Sequence, residues 1–215
     1  METLANDSGW RGSADLWIGA AYALFRESGI DAVRILPLAK KLNLSRTSFY
    51  WFFKDREALL AHLISKWREK NTGNLVKQAN AYAETVAEAA LNVSDCWFDP
   101  TLFDSKLEFA VRSWALQSKY VQAEVESADQ QRLAALADMF KRFGYDDMSA
   151  DVRSRTIYLL QIGYITMQTS EVMALRMQRI PTYVEVFTGR APKSRELARF
   201  YARHGHAELE IGEIE

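Results

Sequence analysis

The stretch Ser45-Arg-Thr-Ser-Phe-Tyr-Trp-Phe-Phe-Lys54 sets five aromatic residues in a row. Read as a helix advancing ~100° per residue, it gathers Phe49, Phe52 and Phe53 into one arc of about 100°. Tyr50 and Trp51 then point the other way, alongside Thr47 and Lys54, with Arg46 at the flank near the N-terminus. Ser45 is the kind of residue that caps a helix, its side-chain oxygen accepting from a free backbone N–H. Two explanations suit the outward face: Tyr50 and Trp51 pack on a neighbouring helix, or the face meets a polyanion.

Charge favours the second. The chain carries a net charge of −1, yet Arg34, Lys40, Lys41, Arg46, Lys54 and Arg56 fall in one window with a single acid, Asp55. The elements before this helix complete the pattern. Ser13 or Asp15 starts a first helix, in which Trp17, Ala20, Ala21, Leu24 and Phe25 form one apolar face ending at Gly29. A short second helix turns Ile35, Leu38, Ala39 and Leu42 inward, with Pro37 in its first turn. Asn43-Leu44 makes a tight connection, since Asn tolerates the left-handed conformation, and Asp55 caps a fourth helix running through Leu63 to Trp67. A short basic, aromatic helix after a two-residue turn reads as a recognition helix in a major groove. Arg46 then reaches base edges, while the hydroxyls, Tyr50 and Lys54 reach phosphates.

These residues resemble the DNA-binding domain of the tetracycline-repressor (TetR) family of transcriptional regulators. The matching blocks are Ala20-Ala-Tyr-Ala-Leu-Phe25, Gly29, Leu38-Ala-Lys40, Leu44-Ser-Arg-Thr-Ser-Phe-Tyr50 and Phe53-Lys-Asp-Arg-Glu-Ala-Leu-Leu60. The resemblance implies that Ser45 caps the recognition helix, that Arg46, Thr47 and Ser48 lie near bases, and that Tyr50 and Lys54 lie on the DNA backbone. Trp51 occupies a position that often touches DNA. Arg34 stands where a phosphate-contacting Thr is common, and Pro37 replaces a polar first-turn residue. Leu107-Glu-Phe-Ala-Val-Arg-Ser-Trp-Ala115 resembles a segment of one large subgroup of the family.

The rest of the chain reads as helices at roughly 74–93, 103–118, 120–143, 149–176, 179–188 and 193–203, with breaks near Gly73, Pro100, Gly144, Pro181 and Gly189. Gly and Pro make up only 14 of 215 residues, and prolines are absent from 38–99 and 101–180. That leaves room for long helices and argues against a turn-dense sandwich or barrel. The expected fold is all-α with about nine helices: a helix-turn-helix domain over 11–71, its fourth helix a connector, and a larger regulatory and dimerisation domain over 74–204. The tail from Ala207 is expected to fray.

Thr156–Ser170 holds fifteen residues without a charge, and its apolar residues surround the helix. Such a helix needs cover on all sides, either from its own core or from a second subunit. The resemblance implies a homodimer built on the last two long helices. Tyr82, Trp97, Phe98, Phe103, Trp114 and Tyr164 are candidates to line an apolar cavity between helices, and the resemblance implies that an effector pocket exists there.

Other chemistry is thinly supported. The one cysteine, Cys96, excludes an intramolecular disulfide and reads as a small apolar residue. His204-Gly-His206 reads as a solvated pair rather than half of a metal site, and Asp146-Asp147 as turn and cap residues. No phosphate-binding glycine loop, nucleophile elbow or His/Glu metal spacing is found, so no cofactor, metal or catalytic residue is assigned. The longest apolar run, Ala20–Phe25, is six residues, and the N-terminus lacks the basic and apolar regions of a signal peptide, so a cytoplasmic protein is expected with no membrane partner. The function expected is a sequence-specific regulator that binds a double-stranded DNA operator, most simply a repressor released by a small effector. Its rivals are a helical small-molecule-binding protein with a degenerate helix-turn-helix and, more remotely, an all-helical metal-dependent enzyme.

Overall fold

The computed structural model describes residues 12–206, and every regular element among them is helical. The expectations for the signal-peptide region and for the tail from Ala207 concern residues outside that range. The helices are α1 (Ala14–Ser28), α2 (Ile35–Leu42), α3 (Arg46–Phe49), α4 (Arg56–Trp67), α5 (Asn74–Ala79), α6 (Val86–Phe98), α7 (Ser105–Ala115), α8 (Lys119–Arg142), α9 (Asp147–Thr166), α10 (Met173–Thr188) and α11 (Ser194–Arg203). A 3₁₀ turn (Ile30–Ala32) follows α1, and a π-helical segment (Arg68–Gly73) follows α4. The described residues form two compact units that divide between Lys66 and Trp67.

In the first unit the capping residues act as their chemistry predicts. Ser13 accepts from the Leu16 N–H at 3.3 Å, and Asp55 accepts from the Ala58 N–H at 2.8 Å. Asn43 adopts the left-handed conformation (φ 53°, ψ 41°), which turns the chain out of α2 within two residues. Trp17, Phe25, Leu38, Phe49, Leu59 and Leu63 are fully buried together. Phe49 meets Trp17 edge-on at 5.3 Å and stacks on Phe53 at 5.2 Å. Arg56 donates to the carbonyls of Val33 and Ile30 at 2.6 and 2.9 Å. It therefore braces the loop before α2 rather than joining the basic surface.

The second unit is organised around a buried polar cluster. The Glu108 carboxylate accepts from Trp67, Asn71, Arg112 and Arg132 at 2.6, 2.9, 3.0 and 2.7 Å. Arg132 also donates to Thr72 and Tyr158, and its guanidinium lies over the Trp67 ring at 5.1 Å. Asn71 and Thr72 reach this cluster from the π-helical segment, whose wider turn carries both side chains inside. Burial would raise the Glu108 pKa. The charge and hydrogen bonds of Arg132, then Arg112 and Asn71, outweigh it and hold the acid at about 2.

Several expected boundaries are corrected. The helix expected over 74–93 is interrupted after Ala79, and Thr85 caps a new one by accepting from the Glu88 N–H at 3.1 Å. Gly73 does not break the chain; its backbone stays helical (φ −58°, ψ −47°). The helix expected over 149–176 ends at Thr166, where Gln168 takes a left-handed φ of 50°. Pro181 lies inside α10 rather than at its start. A proline there leaves the carbonyl four residues back without its helical donor. That carbonyl is Met177's, and the buried Tyr201 hydroxyl donates to it at 3.3 Å.

Candidate functional site

The expected recognition helix is shorter than the sequence suggested. Regular helix covers only Arg46–Phe49, and the aromatic run continues as tight turns, with Trp51 N–H donating to Ser48 and Phe52 N–H to Phe49. This tightening brings Phe52 partly out of the core, leaving it 37% exposed, whereas Phe49 and Phe53 are buried. The expectation that all three phenylalanines lie inside is corrected accordingly.

Ser45 is the N-cap, accepting from the Ser48 N–H at 3.1 Å. The Ser45 and Ser48 hydroxyls also meet at 2.9 Å, and Ser48 is buried. Ser48 therefore faces the capping turn, which corrects its expected place near bases. Arg46, Thr47 and Lys54 are exposed, as are Tyr50 (46%) and Trp51 (62%). Arg46 donates to the Tyr50 hydroxyl at 3.1 Å and lies 5.8 Å from its ring centroid. One helical turn thus carries a guanidinium already steadied at the surface by an aromatic partner. Arg34 is also exposed; it precedes α2 without a side-chain cap, and its Nε donates to the Asp31 carbonyl at 2.8 Å. With Lys40 and Lys41 exposed in the last turn of α2, the unit presents basic side chains from three segments. Such an array neutralises phosphates, and a guanidinium can also read guanine through two hydrogen bonds.

The second unit contains a cleft of about 460 Å³, its open mouth included, between α6, α9 and α10. Of the expected pocket residues, Trp97, Phe98 and Tyr164 line it. Phe103 is buried behind it, edge-on to Trp97 at 5.1 Å, and Trp114 on α7 is not part of the lining. Tyr82 is 85% exposed in the connection between α5 and α6, so its expected place in the lining is corrected. Sequence reasoning missed Glu171, Arg176, Arg179 and Tyr183 in this lining. The signal was three charges flanking an otherwise apolar pattern, obscured by running one helix through the break at 167–172.

The remaining candidates settle as structural groups. Cys96 is buried, and burial pushes its thiol up to about 12, far from a reactive thiolate. His204 is not a solvated tail residue. It follows α11, packs 4.7 Å from the Phe200 ring, and its Nε2 lies 2.8 Å from Asp95, which also pairs with Arg203. Asp146 caps α9 through the Ser149 N–H at 2.9 Å. Among the described residues no helix is long and apolar enough to cross a membrane.

Comparison with known proteins points the same way as this geometry. Residues 18–63 match the family model described as bacterial regulatory proteins, tetR family. No curated protein matches the chain. Among solved structures, a TetR transcriptional regulator from Legionella pneumophila is 18% identical with a TM-score of 0.60, over 87% of this chain and 96% of that one. The fatty acid degradation regulator FadR from Bacillus halodurans is 16% identical with a TM-score of 0.58, over 87% and 97%. A transcriptional regulator from Aquifex aeolicus is 16% identical with a TM-score of 0.57, over 83% and 96%. At these identities the likeness is one of fold. The all-helical fold is shared along nearly the full length of each.

Proposed function

We propose that this chain, whose residues 18–63 match the tetR-family model, is a DNA-binding transcriptional regulator, a cytoplasmic homodimeric repressor released from its operator by a small molecule. The carrying observation is the exposed Arg46, Thr47, Tyr50, Trp51 and Lys54 along α3 and the turns that follow it, behind the Ser45 cap. In this reading residues 11–71 bind DNA and residues 74–204 bind effector and partner. Arg46 and Thr47 face bases; Tyr50, Trp51, Lys54 and Arg34 hold the sugar-phosphate backbone. No enzymatic activity is part of it.

The dimer is supported by an apolar face on α9. Val152, Thr156, Leu159 and Gly163, with Met167 at the C-cap, recur at three- and four-residue spacing, which aligns them on one side of the helix. All but Gly163 are exposed, and a Cβ built on Gly163 meets nothing within 4 Å. The opposite face, with Ala150, Ile157, Tyr158 and Ile165, is buried in its own core. Leu175 and Val186 on α10 are exposed as well. A two-fold dimer would cover these faces and would place two recognition turns on half-sites ~34 Å apart.

Release needs an effector that binds one conformation of the dimer better than the other, because equal affinity shifts nothing. The cleft between α6, α9 and α10 is the place where this reading puts it. The test is transcription in vitro from a promoter recovered by the purified protein from genomic DNA. Lowered transcript on adding protein supports repression; raised transcript rejects it.

A further inference from the structure

We infer that the cleft between α6, α9 and α10 takes a small organic monoanion, a carboxylate on a compact apolar ring, with the Arg176 guanidinium as its counter-ion. The inference rests on the effector reading above and adds the chemical class of the ligand.

Three charged side chains line the cleft: Glu171, Arg176 and Arg179. Glu171 pairs with Arg179. That leaves one positive charge without a matching acid, and it is carried by Arg176. Among the described residues no carboxylate is paired with Arg176. Its guanidinium lies 4.7 Å from the Phe98 ring centroid and donates to the Trp97 carbonyl at 3.4 Å, a long contact.

Burial pulls the Arg176 pKa below the ordinary arginine value, only partly offset by Tyr164, Glu171 and Tyr183. The cation is therefore held in a partly desolvated place at electrostatic cost, and an anion beside it would recover that cost. A second feature refines the ligand. One carboxylate oxygen of Glu171, Oε2, is buried without a hydrogen-bond partner, while the other is taken by Arg179. An acceptor in that state favours a ligand that also carries a hydroxyl or N–H.

The remaining lining sets the body of the ligand. Trp97, Ile157, Ile180, Tyr183 and Phe187 supply apolar and aromatic surface. Tyr183 and Phe187 are nearly parallel, 12° apart with centroids at 5.7 Å, and so present adjacent flat faces. Flat aromatic faces of this kind suit a ring laid against them rather than a flexible acyl chain.

The experiment titrates the full chain with para-hydroxybenzoate, para-hydroxyphenylacetate and salicylate, each beside its neutral carboxamide. Tryptophan fluorescence and thermal melting report binding, and DNA affinity is measured in parallel. At least one acid is expected to bind saturably, with its amide about tenfold to a hundredfold weaker. Arg176→Gln should bring the acid down to the level of the amide. The inference is overturned if none of the acids binds at millimolar concentration, if acid and amide bind alike, or if Arg176→Gln binds the acid as well as wild type. Should Arg176→Gln fail to fold, the acid-against-amide comparison on wild-type protein decides alone. Arg176-dependent acid binding that leaves DNA affinity unchanged upholds the inference and overturns the effector reading. Release from DNA by neutral amides, without acid binding, does the reverse.

Discussion

Arg132 brings both terminal nitrogens to the Glu108 carboxylate, at 2.7 and 3.2 Å, with neither side chain exposed to solvent. A charge buried this completely is stable only while its partner remains. Glu108→Gln should therefore destabilise the second unit by about 3–5 kcal/mol, measured by urea unfolding. Replacing the pair together, as Glu108→Leu with Arg132→Met, should cost less than the sum of the singles, because no lone charge is left behind.

The same pair gives a pH dependence. Folding depresses the Glu108 pKa to about 2, so its contribution is complete above the ordinary glutamate value of about 4.3 and is lost as pH falls from there toward 2. Wild-type stability should drop across that window more steeply than that of Glu108→Gln. Equal slopes would remove Glu108 from the account of acid unfolding.

Pro181 and Tyr201 form a second testable pair. Tyr201→Phe leaves the Met177 carbonyl buried without a donor and should cost about 1–3 kcal/mol. In a Pro181→Ala background, where a helical N–H returns to that carbonyl, the same substitution should cost less. Identical costs in the two backgrounds would show that Tyr201 does not compensate for the proline.

Dimerisation is tested at Gly163. Gly163→Glu places a charge in the middle of the exposed apolar face of α9, where solvent receives it in a monomer and a partner would bury it. Sedimentation should find dimeric wild-type protein and a monomeric variant with weakened operator binding. Wild-type protein that sediments as a monomer at micromolar concentration would contradict the dimer.

The features legible in the sequence were those fixed by local chemistry. Ser13, Ser45 and Asp55 cap helices because a short oxygen-bearing side chain reaches a free N–H two or three residues on. Asn43 turns left-handed because few other residues tolerate it. What escaped depended on distant partners. Pro181 lies within a helix whose freed Met177 carbonyl accepts from Tyr201, twenty residues on. Glu108 sits in a motif noted for its resemblance, yet its burial follows from Arg132 and the π-helical segment, neither of which has a local signature. At the candidate interface, Ser48 was drawn inward by Ser45, and Arg176 escaped notice because the break before α10 went unrecognised.

Basic and base-reading side chains should separate by their salt dependence. Lys54→Ala should weaken binding to every sequence and reduce the magnitude of the salt slope by about one. Ser48→Ala should lower stability through the lost Ser45 contact and leave sequence preference intact, since the side chain is buried.

Selection of binding sites from random duplex DNA by wild-type protein and by Arg46→Ala decides whether the segment behind Ser45 reads DNA. Wild-type protein should enrich a two-fold-related pair of half-sites about one helical turn apart. Arg46→Ala should lose preference at one base pair of each half-site, a discrimination of ~1–3 kcal/mol per contact. Enrichment of the same motif with equal strength by Arg46→Ala, or no motif from wild-type protein, would contradict the assignment of this turn as the element that reads DNA.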